Sequence, residues 1–142
     1  MKKGKSYAIN EVQLPDKVSE PALLYAVRQN TIDSMHLENL KNISGLKDDI
    51  LSHSLNLNVK TYRSYKTKPV SMKPYLQEHI LGLLSLYKHG ISVFGGQELF
   101  NEWLAKDNYY FDNDAPIDFL TTISGIKYID DRLTALEYGD NI

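Results

Sequence analysis

The fold of this chain is decided by residues 47–68, which read KDDILSHSLNLNVKTYRSYKTK. Two aspartates near the start suit the first turn of a helix, where the backbone dipole favours negative charge. Asn56 tolerates the left-handed conformation that ends a helix, and Asn58 can cap the helix that follows. We therefore predict two short helices, at about residues 47–55 and 59–65, joined by a tight turn.

The second of these helices is polar and basic, which is typical of a helix-turn-helix whose second helix enters the major groove of DNA. Lysine and arginine would neutralise phosphates, while asparagine, threonine and serine could reach base edges. The candidate DNA-binding residues are Asn58, Lys60, Thr61, Arg63, Ser64 and Lys66. The alternative is a purely structural hairpin with a solvated basic face.

Helical signals continue on both sides of this stretch. Upstream, residues 1–19 form a polar arm, a helix opens at Glu20-Pro21, and a second helix is capped by Asp33 and stopped by Gly45. Downstream, a long apolar stripe runs at helical spacing. This helix either ends at Gly90 or continues to Phe94, and Gly95-Gly96 is a firm break.

The remaining helices are predicted from their apolar positions. The helix after Gly96 should turn Leu99, Phe100, Trp103 and Leu104 inward. A further helix should begin at Pro116 and stop at Gly125, and a last helix should end at Gly139. No segment alternates as a strand would, so we predict an all-α chain.

We divide the predicted chain into three parts. Residues 1–19 are a flexible N-terminal arm, residues 20–70 are the helix-turn-helix module, and residues 71–142 are a small helical bundle.

Charge is distributed unevenly, although the formal net charge is only −2. Residues 1–75 carry 12 lysines and arginines against 7 acids, and residues 76–142 carry 4 against 11, so the halves are +5 and −7. Such asymmetry indicates one end built for an anion and another for a different partner. Two solvated faces of opposite sign are the simpler alternative.

An ordered set of residues runs through the second half of the chain. Its members are Val93, Phe94, Gly95, Trp103, Leu104, Asn108, Pro116, Ile117, Asp118, Leu120, Thr122, Gly125, Leu133 and Gly139. In this order they resemble the pattern of the Xre/MbcA/ParS toxin-binding family, the antitoxins of RES-type toxin–antitoxin pairs. The first half is similar to the Xre-like helix-turn-helix of the same antitoxins through Leu51, Ser52, Leu55, Leu57 and Thr61.

The resemblance implies a function. Such antitoxins bind and neutralise a RES-domain toxin, which consumes NAD or modifies proteins with ADP-ribose, and they dimerise and usually repress their own operon. The chain would then be a cytoplasmic inhibitor and not an enzyme, with the toxin, operator DNA and a second copy of itself as partners. The alternative is a stand-alone dimeric helix-turn-helix transcriptional regulator without a toxin partner.

The toxin-binding surface is expected at the last helix and its end, because a protruding terminus can block a cleft. Acids there could complement the basic pocket of a toxin that binds a dinucleotide phosphate. The candidate residues are Lys127, Tyr128, Asp130, Asp131, Tyr138, Asp140 and Asn141. The alternative for Asp130 and Asp131 is that they are ordinary solvated helix acids.

Several other chemistries find no support in the sequence. The four histidines form no metal-ligand motif, and no Ser/His/Asp set has a recognisable spacing, so we expect neither a metal, a cofactor nor a catalytic site. The chain has no cysteine, which excludes disulfides and fits a reducing cytoplasm. No apolar run approaches the length of about 20 residues that a membrane span needs.

Overall fold

The computed structural model describes residues 25, 27–29, 32–68 and 71–140. Every regular element in these ranges is helical, which confirms the all-α prediction. The predicted N-terminal arm lies outside the described residues, as does most of the helix predicted from Glu20. None of the described helices is long and apolar enough to cross a membrane.

The helices follow one another with short connections. They are α1 (Ser34–Ser44), α2 (Asp48–Ser54), α3 (Val59–Thr67), α4 (Pro74–Phe94), α5 (Gln97–Ala105) and α6 (Ile123–Glu137). Two 3₁₀ turns, Tyr109–Phe111 and Pro116–Phe119, occupy the segment between α5 and α6.

The caps predicted around the helix-turn-helix are present. The Asp33 side chain accepts a hydrogen bond from the Met35 amide at the start of α1, and Gly45 ends that helix with a left-handed φ of 66°. Asn56 has a φ of 61°, which turns the chain after α2, and Asn58 caps α3 by accepting from the Thr61 amide at 2.8 Å. Helices α2 and α3 therefore form the predicted pair joined by a tight turn.

The long helix α4 is the centre of the molecule. It packs against α1 on one side and against α5 and α6 on the others. Its fully buried side chains include Ile80, Leu84 and Tyr87, and one continuous apolar core runs from Leu37 in α1 to Leu133 in α6. The helix-turn-helix module and the C-terminal bundle thus share a core across residue 70. The division of the chain at that residue remains a prediction.

The segment before α6 differs from its prediction. Pro116 opens only a 3₁₀ turn, and Gly125 does not stop a helix but lies in the first turn of α6, which Thr122 caps by accepting from the Gly125 amide at 2.9 Å. A Cβ at Gly125 would lie 2.0 Å from the Phe119 carbonyl oxygen. Glycine is required there because the preceding turn packs directly on the helix backbone.

Leu99 also differs from its prediction. It was expected to face inward with Phe100, Trp103 and Leu104, but its side chain is 52% exposed while those three are buried. The apolar stripe of α5 is therefore narrower than the sequence suggests, and Leu99 is an apolar residue on the surface.

Candidate functional site

The last helix presents an exposed face along its length. Lys127, Asp131 and Tyr138 recur at helical spacing on this face, and all three are exposed. Tyr138, directly after the helix, is 87% exposed. A large aromatic ring held this far out of the core is available for contact with another molecule.

The end of α6 is tied back to the 3₁₀ turn at residues 109–111. The Arg132 guanidinium lies 3.5 Å from the centroid of the Tyr110 ring and donates to the Asp140 carboxylate at 3.0 Å. The Tyr128 hydroxyl donates to the Tyr110 carbonyl oxygen. These contacts order the chain just beyond the helix, where the exposed residues Tyr138 and Asp140 lie. Asn141 lies outside the described residues.

Asp130 does not belong to the exposed face. It is 5% exposed, and its carboxylate accepts from His89 Nδ1 of α4 at 2.7 Å. His89 Nε2 donates to Glu137, one heptad further along α6, at 2.8 Å. The hydrogen bond to Asp130 is the main cause that raises the pKa of His89, because an imidazolium can donate to both carboxylates at once.

The His89 cluster joins α4 to α6 at two points along the last helix. A single buried imidazole between two carboxylates fixes the rotation of α6 about its axis, and so fixes which residues face outward. Sequence reasoning missed His89 and Glu137. The available signal was that Asp130 falls on the apolar stripe of Ile126, Ile129 and Leu133, where a charged residue needs a buried partner.

An open apolar groove of about 390 Å³ lies between α5 and the 3₁₀ turn at residues 109–111. Its lining residues are Phe94, Leu99, Glu102, Trp103, Lys106, Asp107, Asn108, Tyr109 and Tyr110. Tyr109 is 80% exposed, and Tyr110 is the residue that contacts Arg132 of the last helix. The groove therefore adjoins the end of α6.

The basic side chains of α3 are partly engaged within the helix-turn-helix. Arg63 Nε donates to Asp48 at 3.1 Å, and the same carboxylate accepts from Lys41 at 2.9 Å. Lys66 lies 3.9 Å from Glu38 and over the ring of Tyr62. Lys41 and Arg63 lower the pKa of Asp48 by hydrogen bonding to it.

The other candidate DNA-binding residues lie on or beside the exposed side of α3. Lys60 is exposed, and no ion pair joins it to any residue in the described ranges. Ser64 donates to the Thr61 carbonyl at 2.7 Å, and the Asn58 side chain is occupied in capping. Lys60 is thus the basic residue of this helix most available to a phosphate.

Side-chain hydrogen bonds connect the helix-turn-helix to the C-terminal half. Asn56, in the turn between α2 and α3, donates to the Thr121 carbonyl at 2.9 Å. Gln97 donates to the Asn42 and Ile43 carbonyls, and Asn101 donates to the Ser44 carbonyl at 2.8 Å. The carbonyls at the end of α1, which no helical amide can reach, are thereby satisfied.

Within the described ranges no group of histidine, aspartate and glutamate side chains has an arrangement that could hold a metal ion. The His89 cluster uses both ring nitrogens in hydrogen bonds to carboxylates, which leaves no nitrogen lone pair for a metal. What the described surface offers is an exposed helix face, a basic helix and an apolar groove, all of which suit macromolecular binding.

The fold is that of an all-helical protein in which a helix-turn-helix precedes a C-terminal helical bundle. Residues 89–139 match the family model of the antitoxin Xre/MbcA/ParS C-terminal toxin-binding domain. This segment of the chain is therefore similar to the toxin-binding domain of these antitoxins. A comparison with curated proteins gives no match. The matched segment contains His89, the whole groove and α6 through Gly139.

Proposed function

We propose that this chain is the antitoxin of a type II toxin–antitoxin system that binds and neutralises a RES-type toxin, one that consumes NAD or transfers ADP-ribose. The observation that carries the proposal is the family match over residues 89–139. The chain acts as a cytoplasmic binding protein and not as an enzyme. It works as a homodimer and represses its own operon through the helix-turn-helix.

The toxin contact that we propose uses the exposed face and end of α6. Lys127, Tyr128, Asp131, Tyr138 and Asp140 are exposed there, and Asn141 continues the same end in the sequence. Asp130 is buried and supports this surface indirectly, because its hydrogen bond to His89 holds α6 in place against α4. A pocket that binds a dinucleotide phosphate is basic, so the acidic half of the chain complements it and speeds association.

Neutralisation is tested by co-expression with the RES-domain toxin encoded beside the gene for this chain. Expression of the wild-type chain should restore growth. The variant Tyr138→Ala combined with Asp131→Lys should bind the purified toxin about 30-fold more weakly, which corresponds to about 2 kcal/mol for a lost contact centre. Calorimetric titration measures the dissociation constant.

The matched control is Tyr75→Ala, since Tyr75 is an exposed tyrosine outside the matched domain, in the first turn of α4. It should bind as the wild type does. If the wild-type chain neither rescues growth nor binds, the antitoxin proposal fails, and operator binding without rescue would favour the stand-alone regulator. If the wild-type chain binds the toxin and the α6 variant binds it equally tightly, the toxin-binding surface lies elsewhere in the domain.

Autorepression predicts a salt-dependent contact between α3 and DNA. A dimer would place its two α3 helices in major grooves one turn of DNA apart, on an operator with two-fold symmetry. The proposed contacts are Asn58, Lys60, Thr61, Arg63, Ser64 and Lys66. Arg63 would exchange its bond to Asp48 for a phosphate, whereas Lys60 is already exposed.

Replacing Lys60 and Arg63 together by alanine should weaken binding to the chain's own promoter fragment. Each lost phosphate contact reduces the magnitude of the slope of log K against log salt by about 0.9. The slope measured for the double variant should therefore be smaller in magnitude by about 1.8. Gel shifts at several salt concentrations measure this slope. Lys106→Ala, an exposed lysine in the other half, is the control. An unchanged slope in the double variant would remove α3 as the DNA reader.

A further inference from the structure

We infer that the groove between α5 and the 109–111 turn is a second docking site for the toxin, which fills it with an apolar side chain flanked by a lysine or arginine. This inference rests on the proposed function and adds a second anchoring site beside the α6 face. We refer to it as the α5 groove, lined by Phe94, Leu99, Trp103, Tyr109 and Tyr110 at its apolar centre.

The apolar centre of the α5 groove is exposed but already ordered. Leu99 and Tyr109 are among the large apolar side chains most exposed in the described chain. Beneath them, Phe94 lies 5.4 Å from the Trp103 ring, and Trp103 lies 5.8 Å from the Phe111 ring. Because this aromatic floor is packed into the core, a partner side chain that enters the groove does not have to order it.

The rim of the α5 groove determines the charge of its occupant. Glu102 on α5 and Asp107 just after it line the groove and are exposed, and Lys106 is the base between them. No ion pair connects these two acids with another part of the chain that the structure describes. An incoming basic side chain would therefore meet acids that are not already neutralised, and the −7 charge of residues 76–142 would steer it there.

The α5 groove is continuous with the α6 end. Tyr110 lines the groove, while its carbonyl accepts from Tyr128 and its ring lies against Arg132. All the lining residues fall inside the segment that matches the toxin-binding domain. One partner could therefore cover the groove and the exposed face of α6 together. The same groove of a second copy is a poorer occupant, because the C-terminal halves of both copies are acidic and would repel each other.

The experiment compares Leu99→Asp and Tyr109→Ser with Tyr75→Asp in binding to the RES-domain toxin encoded beside this gene. All three positions are exposed, and thermal unfolding followed by circular dichroism should give melting temperatures close to wild type. Calorimetry should show at least 30-fold weaker binding for Leu99→Asp and about 10-fold weaker binding for Tyr109→Ser. Tyr75→Asp should bind as wild type does.

The outcomes separate the two proposals. If the wild type binds the toxin and Leu99→Asp binds within twofold of it, the α5 groove inference is wrong while the antitoxin function stands. If the wild type does not bind, the function itself fails, and the groove inference with it. If Leu99→Asp instead converts a wild-type dimer to a monomer in light scattering, the groove joins two copies of this chain and our inference is overturned.

A second measurement tests the charge of the occupant. Replacing Glu102 and Asp107 together by lysine should slow association with the toxin by about tenfold at low salt, and the difference should fade near 0.5 M salt. Stopped-flow mixing measures the rate. An association rate equal to that of the wild type at every salt concentration would exclude a basic occupant.

Discussion

His89 and His79 lie on the same helix, but their environments are opposite. His89 lies between Asp130 and Glu137, and its pKa is raised, mainly by the hydrogen bond to Asp130. His79 donates from Nε2 to the Leu120 carbonyl at 2.8 Å, and burial lowers its pKa. The folded protein therefore favours the charged form of His89 and the neutral form of His79.

These opposite shifts predict opposite pH dependences. His89 contributes its full stability below the unfolded pKa of about 6.5 and loses it as the pH rises through its raised folded pKa. His79 contributes fully above about 6.5 and loses its contribution as the pH falls towards its lowered folded pKa. Both pH dependences are measured by urea unfolding of the wild type, His89→Gln and His79→Gln between about pH 5 and pH 8.5.

The His89→Gln variant should be most destabilised relative to wild type at the acidic end, and the difference should shrink as the pH rises. His79→Gln should show the reverse trend. A destabilisation by His89→Gln that is constant over this range would mean that the imidazole acts by packing alone and carries no linked proton.

At the scale of the element, α4 contains two interior glycines that serve different purposes. A Cβ at Gly90 would lie 2.3 Å from ring carbons of Phe100, whereas a Cβ at Gly82 would have its nearest neighbour at 3.8 Å. The Phe100 ring cannot move aside easily, because it is packed against Tyr87, Phe94 and Trp103. Gly90 therefore permits the close approach of α5.

Gly90→Ala should destabilise the protein by about 1–3 kcal/mol through overpacking. Gly82→Ala is the matched control in the same helix, and it should be neutral or stabilise by up to about 1 kcal/mol, since alanine has the higher helix propensity. Free energies of unfolding in urea measure both. Stabilisation by both substitutions would show that α5 can shift away from α4 at no cost.

Helix boundaries were well predicted wherever a local cap determined them. A capping residue acts through its own backbone or side chain, so the local sequence is enough to predict the helix end. The capping residues of this kind are Asp33, Gly45, Asn58 and Gly95. The prediction that Gly125 stops a helix was wrong. Glycine is needed there because the Phe119 carbonyl lies so close, and that contact depends on how a loop folds back. Local sequence cannot distinguish a glycine that ends a helix from one that permits close packing.

At the scale of the whole molecule, the sequence predicts candidate binding regions but does not predict how the fold holds them in place. The basic α3 and the exposed face of α6 follow from charge and periodicity. The His89 cluster joins residues 41 and 48 positions apart, and Leu99 is exposed because of how α5 is rotated. Both depend on tertiary packing, for which one sequence gives no direct signal.

The hydrogen bonds that Gln97 and Asn101 donate to the end of α1 also bear on the exchange of parts between relatives. A chimera that joins residues 1–70 of this chain to the C-terminal half of a different protein would leave three carbonyls of α1 without donors, unless the incoming half supplies an amide at the positions of Gln97 and Asn101. Under the proposed function, Gln97 and Asn101 would therefore couple the toxin-binding half of the chain to the DNA-binding half.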